Sequence, residues 1–110
     1  MRRGVPERRR YPRIPLCVTA SCFLSSGTLT LHTKNISTGG MLLEPCEQLA
    51  RCQQIELEFS LPGHSTPIRI CATVQHQMLG LGVGVKFQSL SEANRRAILS
   101  YLSGDRGKHV

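Results

Sequence analysis

From Ile14 onward the chain alternates apolar and polar positions with a period of two. Leu16, Val18, Ala20, Cys22 and Leu24 mark one run, and Leu29, Leu31 and Thr33 a second. Successive side chains of a strand point to opposite faces, so this pattern predicts half-buried strands. Ser25-Ser26-Gly27 is the turn signal between the two. Thr38-Gly39-Gly40 breaks the second run, and Met41-Leu42-Leu43 reads as a short third strand. After a connection over residues 44–51, Ile55, Leu57, Phe59 and Leu61 alternate with Glu56, Glu58 and Ser60, a strand with one wet face. Pro62-Gly63 turns the chain into Ile68, Ile70, Ala72 and Val74. Gly80-Leu81-Gly82 turns it again into Val83, Val85 and Phe87.

The period then changes. Leu90, Ala93, Ala97, Ile98, Tyr101 and Leu102 fall at helical spacing, which predicts a helix over about residues 89–103. Ser89-Leu90-Ser91-Glu92 has the form of a capping box, and Gly104 supplies a stop. The sum is an all-β unit of six short antiparallel strands followed by one amphipathic helix. Many short strands with Gly/Pro turns point to a small barrel or sandwich, with the helix covering an open end or edge.

The length of 110 residues suits one domain. It excludes a large multi-domain enzyme and a doubly wound nucleotide-binding fold, which needs several βαβ units of ~30 residues. The net charge of +7 is unevenly spread. Residues 1–13 hold six arginines and one acid, while the remaining 97 residues hold eight basic and six acidic groups. Gly4, Pro6 and Pro12 break any helix there, so residues 1–13 are expected to form a flexible basic arm. Residues 14–104 then form the barrel with its helix, and 105–110 a tail. A basic arm on a nearly neutral body suits an anionic partner (nucleic acid, nucleotide or membrane surface), or serves as a solvated tail.

The catalytic inventory is nearly empty. No G-x-S-x-G elbow occurs, and the G-x-G-x-G at Gly80, Gly82 and Gly84 sits at a strand turn without a following helix. Cys17, Cys22, Cys46, Cys52 and Cys71 show no metal-ligand spacing, so neither metal nor cofactor is expected. An odd cysteine count without an apolar leader predicts free thiols and a cytoplasmic protein, with Cys22 and Cys71 as small core hydrophobes. No apolar stretch nears the ~18 residues of a membrane span.

Two local motifs carry the chemistry. Arg9-Arg10-Tyr11-Pro12-Arg13 is an R-x-x-x-R preceded by Arg8, and Asn35-Ile36-Ser37-Thr38-Gly39-Gly40 is an N-x-S-x-x-G at a strand end. With the final strand Gly82-Val83-Gly84-Val85-Lys86-Phe87, they resemble the PilZ domain, the bacterial receptor module for cyclic di-GMP, from about Glu7 to Leu102. The resemblance implies a six-stranded antiparallel β-barrel with one C-terminal helix, no enzymatic activity, and cyclic di-GMP as ligand. It assigns Arg9 and Arg13 to gripping guanine, and Asn35, Ser37 and Gly40 to the second motif. Arg8 stands where the family associates an arginine with two intercalated ligand molecules, and Arg10 is a further candidate for phosphate contact.

Elementary chemistry agrees. Guanine presents N7 and O6 as adjacent acceptors, which an arginine fork matches in a bidentate pair. Asn35 and Ser37 lie two apart and are expected to share one strand face, while Gly39 or Gly40 lets the backbone approach a ligand. Alone, Asn35-x-Ser37 also fits an ordinary turn capping a strand. By the resemblance, His76 stands at a strand position where relatives carry an aromatic near the ligand; on its own it fits a barrel-face histidine without a ligand role. The chain shows no attached output domain, so the response is expected to act in trans on a motility, pilus or exopolysaccharide protein. Two alternatives are weaker: a nucleic-acid-binding barrel, because aromatics are only 5% and barrels that hold single strands add stacking platforms, and a PilZ-type module that binds only proteins, because both motifs are present.

Overall fold

A computed structural model describes residues 13–78 and 80–104. The elements in chain order are β1 (Ile14–Pro15), β2 (Thr19–Leu24), β3 (Gly27–Ile36), β4 (Gly40–Leu43), β5 (Gln54–Phe59), β6 (Ile68–Met78), β7 (Gly82–Phe87) and α1 (Glu92–Leu102). Six strands close a ring in the order β3-β2-β5-β6-β7-β4, with β4 returning to β3, and every pairing is antiparallel. The expected barrel is therefore the observed one.

The first apolar run does not form a single strand. It splits into β1 and β2, because the backbone leaves the ladder over residues 16–18. Thr33 stitches the gap. Its buried hydroxyl accepts from Val18 N (3.0 Å) and donates to Leu16 O, while Leu16 N donates to Lys34 O (3.0 Å). Each polar group of the break is thereby paired, as burial demands. β1 remains as a two-residue ladder on β3, with Pro15 opposite Asn35.

Inward positions follow the alternation: Ala20 and Cys22 on β2, Ile55, Leu57 and Phe59 on β5, Ile68, Ile70, Ala72 and Val74 on β6, Val83, Val85 and Phe87 on β7. Cys71 departs from its expected place. It takes the outward parity of β6 and is exposed, so it is no core residue; Cys22 is fully buried. All five cysteines are free thiols. Leu49, which the sequence places only in a connection, is buried in the same core. Its carbonyl and that of Cys46 accept hydrogen bonds from Gln77 Nε2, which folds the connection back onto β6.

The helix begins later than its sequence pattern suggests. Ser91, not Ser89, is the N-cap, and its hydroxyl accepts from Asn94 N at 3.1 Å. Gly104, at φ +93°, ends it in the left-handed conformation that glycine adopts without strain. Ile98 and Tyr101 enter the core, and the Tyr101 hydroxyl donates to Pro15 O at 2.8 Å. The helix thus sits at the end of the barrel where β5 runs into β6, tied to β1. Among the described residues no helix is long and apolar enough to cross a membrane.

Candidate functional site

The two motifs meet. Arg13, the last arginine of R-x-x-x-R, donates from Nη1 to Asn35 Oδ1 at 2.9 Å. β1 makes this contact: it begins one residue after Arg13 and sets Pro15 opposite Asn35. On β3, Thr33 faces Leu43 and Asn35 faces Leu42, so Lys34 is an extra residue and the strand bulges. Strict alternation from Leu31 and Thr33 would aim Asn35 into the core. The bulge instead leaves it half-buried on the outer face and turns Ile36 inward, fully buried.

A second bulge does the same on β6. Val74 faces Val85 and His76 faces Gly84, so one residue on β6 is extra and His76 comes out on the exposed side rather than following Ala72 and Val74 inward. The outcome is one lateral row on the outer surface. Asn35 pairs with Leu42, Leu42 with Gly84, and Gly84 with His76, across β3, β4, β7 and β6. The His76 ring lies over bare backbone: a Cβ on Gly84 would stand 3.0 Å from Nε2. Leu42 was not singled out from the sequence, and Gly84 entered there only as part of a turn and of the last strand. The signal for Gly84 as an outer-row position lay in the parity of Gly82-Val83-Gly84-Val85-Lys86, which sends alternate residues outward.

Ser37 and Gly40 are engaged by backbone groups of the turn. β3 ends at Ile36, so Ser37 does not share a strand face with Asn35. Ser37 is buried, and its hydroxyl accepts from Gly39 N (3.1 Å) and Gly40 N (3.2 Å), while its own N–H donates to Gly40 O (2.8 Å). Ser37 thereby builds the turn that reverses the chain. A side chain on Gly40 would run into the Val85 carbonyl, so this glycine lets β4 approach β7. Gly39 O accepts from Phe87 N at 2.9 Å, which fixes the turn to the end of β7. Arg13 and Asn35 are joined by a hydrogen bond, and Ser37, Gly39 and Gly40 form the turn that follows β3. Arg8, Arg9 and Arg10 lie outside the described residues.

The charge distribution favours an anion here. None of β3, β4, β6 and β7 contains an aspartate or glutamate. The barrel's strand acids, Glu56 and Glu58, are both on β5, where Arg69 of β6 pairs with them at 2.8 and 3.3 Å. Arg69 also lies 4.3 Å from the Phe23 ring centroid, so its charge is engaged away from the row. The guanidinium of Arg13 on the row donates to the neutral amide of Asn35.

The family model for the PilZ domain matches residues 7–104. The chain belongs to the PilZ domain family. Solved PilZ-fold structures superpose on it. The Bacillus subtilis inhibitor of motility MotI/DgrA gives a TM-score of 0.75 at 18% identity, over 94% of this chain and 54% of that one. The PilZ domain of Escherichia coli YcgR, solved with c-di-GMP, gives 0.67 at 17% identity, over 89% of this chain and 91% of that one. The K. pneumonia MrkH–c-di-GMP complex gives 0.65 at 22% identity, over 94% and 57%. This PilZ domain therefore spans about half the length of MotI and of MrkH. At these identities the likeness is one of fold. No curated protein sequence matches the chain.

Proposed function

We propose that this PilZ domain is a non-enzymatic receptor for cyclic di-GMP that passes the signal to a separate protein. The observation that carries the reading is the Arg13–Asn35 hydrogen bond, which brings the end of R-x-x-x-R onto the N-x-S-x-x-G motif beside strands β3, β4, β6 and β7, none of which contains an acidic residue. Bound c-di-GMP in the YcgR and MrkH structures supports the choice of ligand. In this reading Arg9 and Arg13 offer forks to the guanine edges, with Arg8 and Arg10 beside them for a second stacked ligand and for phosphate. Asn35 steadies Arg13 and can donate to a base. Ordering of the basic arm over the ligand converts binding into a new surface for the partner.

Titration calorimetry with cyclic di-GMP, GTP and a short single-stranded oligonucleotide tests this. Cyclic di-GMP alone should saturate the protein. Arg9→Ala and Arg13→Ala should each weaken binding by at least ~1–3 kcal/mol, by analogy with arginine readout of guanine, while the barrel stays folded. Binding of the oligonucleotide instead, with steep salt dependence, would replace the receptor by a nucleic-acid-binding barrel.

A further inference from the structure

Lys86 occupies the outward position of β7 next after Gly84, about 7 Å along the strand. It is exposed. Its cross-strand neighbours are Gly40 of β4 and Thr73 of β6. Gly40 has no side chain, and the Thr73 hydroxyl already accepts from Gln88 Nε2 at 2.8 Å. No carboxylate lies on β4, β6 or β7, and among the described residues Lys86 has no salt-bridge partner. Lys34, the other strand lysine near the row, is occupied: its Nζ donates to Leu81 O at 2.9 Å. Lys86 is thus an uncommitted cation on a flexible four-carbon stem, flanked by low neighbours and one outward position along β7 from Gly84 and the His76 ring that covers it.

Its placement complements that of Arg13. Arg13 stands at the β3 margin of the row, while Lys86 stands across β4 from it, next to the 37–40 turn. A cyclic dinucleotide carries one negative charge on each side of its ring. One cation at each margin of a set of strands without acidic residues matches that distribution. From this geometry we infer that Lys86 is a further ligand-binding residue, which neutralises the ligand phosphate remote from Arg13. The inference rests on the cyclic dinucleotide reading of the site and adds a charge contact that neither motif supplies. An ammonium acts as a point charge, so the contact should be strongly screened by salt.

The test is calorimetric titration of cyclic di-GMP into the wild type, Lys86→Ala, Lys86→Arg and Arg13→Ala, at low and at high salt. Lys86→Ala should bind about tenfold more weakly at low salt, with the gap narrowing at high salt, and Lys86→Arg should stay close to the wild type. The melting temperature should not move, because the side chain is exposed and has no ion-pair partner to lose among the described residues. Lys86→Ala binding like the wild type while Arg13→Ala loses affinity would overturn the role of Lys86 and leave the receptor reading intact. A loss in Lys86→Ala that does not depend on salt would also overturn it, since the residue would then act through packing. Absence of binding in the wild type would remove the receptor reading and Lys86's role together.

Discussion

Cys22 shows how one position reports its surroundings. It is fully buried on β2, and burial first, with the nearby Cys46 second, pushes its thiol from 9.0 up to about 11. The neutral form is the one the fold prefers. The associated stability is therefore present below pH 9 and is lost as pH rises through about 11. The difference in unfolding free energy between wild type and Cys22→Ala should shrink over that window. Reactivity gives a simpler check. A thiol reagent added to native protein should label exposed Cys17, Cys52 and Cys71, and reach Cys22 only on unfolding. Cys71 could have been placed correctly from sequence, because Ile68, Ile70, Ala72 and Val74 already claim the inward parity of its strand. Ser37 was harder. Its spacing from Asn35 suggests a shared face, but the strand ends between them, and its hydroxyl partners are backbone groups whose positions only the turn defines.

Strands were legible because each buries one face, so their period appears directly in the residue types. The interruptions were not. Neither bulge leaves a compositional mark, since an extra residue in one strand is defined by what pairs across from it. Yet these two bulges bring Asn35 and His76 onto one row. Leu49 was missed for a related reason: an isolated apolar residue in a connection has no period to reveal it. β1 has only two residues and owes its place to contacts on both sides. One is its ladder with β3; the other is the hydrogen bond from Tyr101 of α1 to Pro15 O. Tyr101→Phe keeps the ring and removes that donor. It should cost about 1 kcal/mol in urea denaturation, with faster amide exchange at Leu16, whose N–H bonds to Lys34 O beside the stapled segment. Gly40→Ala should cost more, about 1–3 kcal/mol, because its new methyl meets backbone rather than a movable side chain.

At the scale of the whole molecule, closure couples the strands while leaving the outer face free to vary. Every strand of the ring has two neighbours, so none can detach without exposing two ladders and opening the single core. Leu57 lies in the middle of that arrangement, fully buried, with Cys22 across one ladder and Ile70 across the other. A carboxylate at this position would have no cationic partner, since Arg69 points outward to Glu56 and Glu58. An uncompensated buried charge costs several kcal/mol, against a total stability of ~5–15 kcal/mol for a domain. Leu57→Asp should therefore abolish the barrel or lower its melting temperature by roughly 20 °C, with helix and strands lost in one transition by circular dichroism. Arg13→Ala, at the margin of the same barrel, should melt within a few degrees of the wild type and still bind more weakly. Separate transitions for helix and sheet in a destabilised variant such as Leu57→Ala would contradict the single core. Coincident transitions, with binding lost only in the outer-face variants, would place stability and recognition on opposite sides of the same strands.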